Sequence, residues 1–230
     1  AAEVAGGMVT IPAGQYTLGT DDRSAAYDNE RPRHTITLGE YRIDRTPVTN
    51  GQYLAFIADG GYTRPELWSP AGLQWLDQSR AVAPMYWSLS ESGWWTRSMD
   101  RAEGVDPTRP VCHVSYFEAE AFARWAGKRL PTEAEWEVAA TWDPMRAHAL
   151  MFPWGDEPAS SLLANVDQLG FGTAPIGAYP KNVSPFGCYG MIGDTWEWTS
   201  SDFGPYPGYE TFPYPEYSEV FFGTEYKVLR

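Results

Sequence analysis

Histidine and cysteine are scarce in this chain of 230 residues: three of the first and two of the second. His34, His113 and His148 stand far apart, with no H-x-x-x-H or H-x-E grouping to set two ligands on one helical face. No iron or zinc site is assigned to them, and His113, just before a helix start, is expected to bond to backbone. Cys112 and Cys188 form no C-x-x-C pair and read as reduced, mostly buried thiols. No G-x-S-x-G, no G-x-x-x-x-G-K and no dinucleotide fingerprint occurs. Basic residues are few, 17 Lys and Arg against 30 Asp and Glu, for a net charge of −13. That balance argues against nonspecific nucleic-acid binding, which needs clustered cations to neutralise phosphates. No apolar run approaches the ~18 residues of a membrane span. The start, from Ala1 to Gly14, lacks the basic and apolar regions of a secretory signal. A cytoplasmic protein without membrane or nucleic-acid partners is expected.

Aromatic, proline and glycine residues are abundant. Phe, Trp and Tyr make 15% of the chain, beside 19 Pro and 22 Gly. Large rings with many turns point to a fold of few regular elements, its long loops packed on aromatic anchors. Three helix starts are legible as capping boxes, Thr49 with Gln52, Ser115 with Glu118, and Thr132 with Glu135. Gly60 and Gly127 are placed to stop the first two. Strand patterns fall at 8–11, 16–18, 35–38 and 226–229. The stretches 64–108 and 152–184 show no clear period. No repeat, linker or composition break divides the chain, so residues 1–230 are expected to form one domain. The chain begins without Met and stops inside a strand-like run, which reads as a fragment of a longer polypeptide.

Two acidic groupings invite a chemical reading. Glu133, Glu135 and Glu137 lie at a helix start, where carboxylates favour the positive end of the dipole. Asp194 and Glu197 sit in a Trp-rich turn. They could bind a hard cation or accept indole and backbone N–H bonds, and the second reading is favoured.

Together these motifs resemble a known family. Lys128-Arg129-Leu130-Pro131-Thr132-Glu133-Ala134-Glu135-Trp136-Glu137 is similar to the signature of the formylglycine-generating-enzyme superfamily. So are Met8-Val9-Thr10-Ile11-Pro12-Ala13-Gly14, Pro47-Val48-Thr49-Asn50, Phe152-Pro153-Trp154-Gly155 and Gly193-Asp194-Thr195-Trp196-Glu197-Trp198-Thr199, in the family's order across nearly the whole chain. The resemblance implies an α+β fold, a variant C-type-lectin-like arrangement with long loops. Within the superfamily, the insert from Glu66 to Trp75 and the tail from Tyr209 to Phe222 resemble the actinobacterial sulfoxide synthases of ergothioneine biosynthesis. Cys112 and Cys188 do not match the copper-binding pair of the formylglycine generators.

The resemblance carries several expectations. The enzyme is an Fe(II)- and O₂-dependent oxidoreductase that joins hercynine to the thiol of γ-glutamylcysteine. Its iron is held by histidines of an upstream DinB-like helical domain, and further substrate contacts follow Arg230. In this chain the implied catalytic residue is Tyr209, with Tyr206 a weaker match, its hydroxyl able to give a proton to reduced oxygen. A calcium ion is implied at Asn165, Val166 and Asp167. The alternatives are a non-catalytic lectin-like binding module and a formylglycine-generating relative. Trp196 is expected to be a core residue.

Overall fold

The computed structural model describes residues 6–24, 26–166 and 171–230. The first four strands are β1 (Met8–Ile11), β2 (Gly14–Leu18), β3 (His34–Leu38) and β4 (Tyr41–Asp44). They form two antiparallel pairs, β1 with β4 and β2 with β3. Helix α1 (Asn50–Ala58) follows, opened by the Thr49 and Gln52 capping box. Gly60, at φ 76°, turns the chain after it in the left-handed region that glycine enters without penalty.

Helix α2 (Pro70–Ser79) lies in the stretch that shows no period. Ser69 caps it by accepting from the Gly72 amide, and Pro70 occupies its first turn, where a missing N–H costs nothing. A three-stranded antiparallel ribbon comes next, β5 (Trp87–Ser90), β6 (Gly93–Ser98) and β7 (Arg101–Gly104). Helices α3 (Tyr116–Trp125) and α4 (Glu133–Thr141) start at Ser115 and Thr132, each with both capping-box bonds in place. A short pair, β8 (Trp142–Asp143) with β9 (His148–Ala149), and a long loop lead to β10 (Trp198–Phe203) and its antiparallel partner β11 (Gly223–Leu229). Few short elements joined by long loops, as the composition implies, make the α+β fold that the resemblance implies.

Two apolar clusters hold these pieces. One packs Val9, Ile11 and Tyr16 of the first strands against Trp136, Val138 and Ala139 of α4, with Cys188 and Met191. The other joins Tyr53 and Phe56 of α1, Tyr62, Leu67 and Trp68, and Ala121 and Phe122 of α3. The rings of Tyr53 and Phe122 stack at 5.4 Å. Gly61 is needed there, because a Cβ on it would meet the Phe56 ring at 2.2 Å. The buried Tyr62 hydroxyl donates to Glu118 Oε1 at 2.5 Å, and the Trp68 indole donates to the Gly61 carbonyl at 2.9 Å, so the polar tips of the cluster are satisfied.

Trp196 is a correction. It is 78% exposed. In extended backbone, alternate residues face opposite sides, and here Glu197 is the residue turned inward, accepting from the Trp136 indole at 2.9 Å. The Trp198 indole donates to the Val114 carbonyl at 3.0 Å.

Candidate functional site

Strand β10 runs out at Phe203 and β11 returns from Gly223, so residues 204–222 form a loop whose ends are adjacent. The loop carries Tyr206, Tyr209, Phe212, Tyr214, Tyr217, Phe221 and Phe222. Its hydroxyls fall into three environments.

Tyr206 is buried, its ring 4.6 Å from that of His34. Its hydroxyl donates to Glu133 Oε1 at 3.0 Å and accepts from Arg230 Nη2 at 2.7 Å. Arg230 also donates to Glu133 and Glu137, each at 2.7 Å, and the Gly19 amide donates to Glu137 at 2.8 Å. Burial pushes the Glu137 carboxyl up despite the neighbouring Arg230. Burial alone disfavours charge on Arg230, but Glu137, Tyr206 and Glu133 outweigh that and keep it a cation. This cluster ties the end of β11 to α4. It accounts for two acids of the helix start by ion pairing, beyond the dipole alone.

Tyr209 is half-buried. Its hydroxyl donates to Asp28 Oδ2 at 2.6 Å, and its ring meets Phe222 edge-on at 5.1 Å. Burial and the bond to Asp28 both raise its pKa. Asp28, only 1% exposed, sits in the turn Asp28–Glu30. It also accepts from the Phe212 amide at 3.2 Å and from the Ser218 hydroxyl, through Oδ1, at 2.6 Å. Burial works against its charge, but the bonds from Ser218, Tyr209 and Phe212 prevail and hold it below the usual carboxylate range. Nothing in the sequence around Asp28 singles it out.

Tyr214 and Tyr217 are exposed, 52% and 40%, and neither hydroxyl makes a hydrogen bond among the described residues. Their rings meet edge-on at 6.0 Å, and Tyr27 lies 6.0 Å from Tyr217. Phe212, Val220, Phe221 and Tyr226 are exposed as well, the last two with their rings 5.6 Å apart.

Other expected chemistry disperses. Cys112 and Cys188 are unpaired, and burial pushes each thiol up to about 11, so neither is a ready nucleophile at neutral pH. The His34 Nδ1 lies 3.1 Å from the Pro32 carbonyl. His113 was expected to bond to backbone; its ring instead packs edge-on against Tyr86 at 5.0 Å. Among the described residues no three His, Cys, Asp or Glu side chains are grouped to hold a metal ion, and these residues do not fit an iron centre. Of the calcium candidates, Asp167 lies outside the described residues. Asn165 Nδ2 donates to Asp194 Oδ1 at 2.7 Å and to the Gly172 carbonyl at 2.9 Å. Asp194 thus accepts amide bonds, including that of Ala174 at 2.6 Å, and Glu197 an indole bond, the arrangement favoured for this turn.

Two cavities flank Trp196. One of about 530 Å³ runs along β4 and the segment Lys128 to Pro131 and reaches Glu197. The other, about 780 Å³, lies between Trp87, Arg109, His113 and Thr195. Among the described residues no helix is long and apolar enough to cross a membrane.

Comparison with known proteins gives this geometry a context. The family described as sulfatase-modifying factor enzyme 1-like domain matches residues 1–230. The chain is 45% identical over 233 residues to the hercynine oxygenase of Mycolicibacterium smegmatis, covering 99% of this chain and 54% of that protein. It is 45% identical over 218 residues to the hercynine oxygenase of Mycobacterium tuberculosis, covering 94% and 51%. The formylglycine-generating enzyme of Thermomonospora curvata is 36% identical over 222 residues, with 85% and 71% covered. Among solved structures, PvdO from Pseudomonas aeruginosa superposes with a TM-score of 0.55 at 25% identity, covering 85% of this chain and 70% of that one. The chain spans about half the length of the hercynine oxygenases it matches.

Proposed function

The chain belongs to the sulfatase-modifying factor enzyme 1-like domain family, and on that premise we propose that it is one domain of a cytoplasmic hercynine oxygenase. The observation that carries the proposal is 45% identity to such an enzyme over 99% of the chain, against 36% over 85% for a formylglycine-generating enzyme. The proposed reaction joins the imidazole ring of hercynine to the sulfur of γ-glutamylcysteine with O₂. One oxygen atom stays on sulfur as the sulfoxide. The other leaves as water with the ring C–H and thiol S–H hydrogens. Fe(II) ligands are proposed to lie in a DinB-like helical domain of the same polypeptide.

The contribution proposed for this domain is a proton delivered from a tyrosine Oη to the oxygen being reduced. A phenol of pKa near ~10 is protonated at neutral pH and can act as a general acid. Tyr209 is the residue singled out by the resemblance, and its hydroxyl proton is engaged by Asp28. A second reading, Tyr214, is favoured by a hydroxyl without a bonded partner among the described residues and by its greater exposure, 52% against 40% for Tyr217, whose ring also meets Tyr27. Phe variants of each residue in the full-length polypeptide, assayed for sulfoxide and for oxidised thiol, separate the two. The donor is the residue whose loss suppresses sulfoxide while thiol oxidation continues. Parent rates from Tyr209→Phe and Tyr214→Phe alike would remove both candidates. Formylglycine formation on a cysteine peptide, with no sulfoxide, would reassign the activity.

A further inference from the structure

We infer that Asp28 is the positioning residue of this aromatic loop, which its buried carboxylate holds in the geometry that proton delivery requires. The inference rests on the reading that the loop carries the proton-donating tyrosine. Asp28 is 1% exposed, and its bonds from the loop reach it from three separate places: the Tyr209 hydroxyl, the Phe212 amide and the Ser218 hydroxyl. Tyr214 lies between the second and third of these anchors. Tyr209 is itself the first. Whichever tyrosine gives the proton, Asp28 sets where its backbone stands.

Three donors on one carboxylate are stronger than three neutral bonds, because each is charge-assisted. They also replace water around a buried charge that would be costly without them. The neighbouring turn supplies a second hold. The Arg31 guanidinium lies 5.4 Å from the Phe212 ring centroid, and its Nε donates to the Tyr27 carbonyl at 3.2 Å. Its two terminal nitrogens are buried without hydrogen-bond partners among the described residues, so the Phe212 face is their compensating contact. Tyr206 fixes the loop's first part, and beyond Ser218 its holds are ring contacts, Phe222 with Phe203 at 5.2 Å and Phe221 with Tyr226 at 5.6 Å, so the stretch from Tyr209 to Ser218 depends most on Asp28. Glu219 accepts from Thr211, a bond inside the loop itself, and Val220 and Phe221 are exposed.

A carboxylate that only stabilises the fold and one that positions a proton donor differ in what their loss does to the products. Destabilisation lowers the amount of working enzyme and leaves the ratio of sulfoxide to oxidised thiol unchanged. Displacement of the donor changes that ratio. The test is Asp28→Asn in the full-length polypeptide, which keeps the shape, removes the charge and turns one acceptor oxygen into a donor. A misplacement on the scale of 1 Å costs about 10²-fold, so sulfoxide formation is expected to fall about 10- to 100-fold. The ratio should move toward oxidised thiol, with KM for both substrates little changed. Hydrogen exchange at the Phe212 amide should accelerate. Ser218→Ala, which removes one anchor and no tyrosine, should shift the ratio the same way by less, and it serves if Asp28→Asn does not fold. Combining Asp28→Asn with Phe at the donor tyrosine should lower sulfoxide no further than the tyrosine change alone.

The outcomes separate the two ideas. If Tyr209→Phe and Tyr214→Phe both work at the parent rate, the reading of the loop fails, whatever Asp28 does. If one of them suppresses sulfoxide while Asp28→Asn and Ser218→Ala leave the product ratio at the parent value, the loop is catalytic and Asp28 does not position it.

Discussion

Glu197 is the carboxyl whose burial makes the sharpest quantitative prediction. It faces inward beside Trp136, whose indole is its hydrogen-bond donor, and burial pushes its pKa up to about 7 from 4.5, against the lowering effect of that bond. A raised pKa in an acid means that the folded state binds the proton more tightly than the unfolded chain. Between pH 4.5 and about 7 folding therefore takes up a proton, and stability falls as pH rises through that window. Above it, the ionised buried carboxylate costs about 3 kcal/mol, from about 1.4 kcal/mol for each pKa unit. Glu197→Gln keeps a carbonyl oxygen for the Trp136 indole and cannot ionise. Any packing change it introduces is the same at every pH, so the informative quantity is how the difference between the two proteins varies. Urea unfolding at pH 4 and pH 8 should show the variant gaining about 3 kcal/mol relative to the parent between those values. Parallel pH profiles for parent and variant would refute the argument, and with it the inward placement of Glu197 beside Trp136.

Phe56 is 0% exposed among the rings of Tyr53, Tyr62, Phe122 and Trp125, so Phe56→Ala should cost about 3–5 kcal/mol in denaturant unfolding; a loss below ~1 kcal/mol would mean that the cluster is not packed as described. Trp196→Ala removes an exposed ring and should change stability by less than about 0.5 kcal/mol, despite the size of the side chain; a cost comparable to Phe56→Ala would place Trp196 back in a core. A calcium ion at Asn165, Val166 and Asp167 should raise the melting temperature and be reversed by chelator; a melting temperature indifferent to both removes the site.

Local signals carried the helices further than the sheets. Helices α1, α3 and α4 each begin where a Ser or Thr stands three residues before Glu or Gln, because both bonds of the box are made within four residues of chain. Helix α2 was missed although Ser69 and Pro70 spell an N-cap and first turn, since no Glu or Gln completes a box and Trp-rich neighbours obscure its stripe. Strands β1, β2, β3 and β11 were legible from alternation. Strands β4 and β10 were not: Tyr41-Arg42-Ile43-Asp44 and Trp198-Thr199-Ser200-Ser201-Asp202-Phe203 are too polar to stand out. Their membership comes from partners elsewhere, β4 from β1 and β10 from β11, and pairing of that kind leaves no local trace. Trp196 failed for a related reason. Size and hydrophobicity made it a core candidate, but backbone alternation decides the face, and the acid between two tryptophans took the inner side.

The candidate site was legible on one side only. Pro205-Tyr206-Pro207-Gly208-Tyr209 marks itself as a shaped loop, since proline restricts the backbone and Gly208, at φ 84°, stands where a Cβ would press on Pro32 at 3.3 Å. The carboxylate that receives this loop lies 181 to 190 residues away along the chain. Asp28-Asn29-Glu30 reads locally as solvated surface, and the arrival of three donors from the far end, added to the adjacent Asn29 amide, makes burial of its charge tolerable. The dependence is mutual. Without Asp28, Ser218 and the Phe212 amide lose their acceptor and the exposed rings between them lose their backbone anchors. Without the loop, a carboxylate in that position would take up a proton or turn to water. A folded-state pKa held below the usual range gives this coupling a direction. The loop's contribution to stability is present at neutral pH and is lost as pH falls through the pKa of folded Asp28. Asp28→Asn should abolish that acid-side loss while Glu197→Gln leaves it intact, because the two carboxyls titrate from opposite sides of the ordinary value. Unfolding curves of both variants from neutral pH down to below pH 3.8, with the Phe212 amide exchange as a local probe, separate them; an acid-side loss that survives in Asp28→Asn would mean that another carboxylate holds the loop.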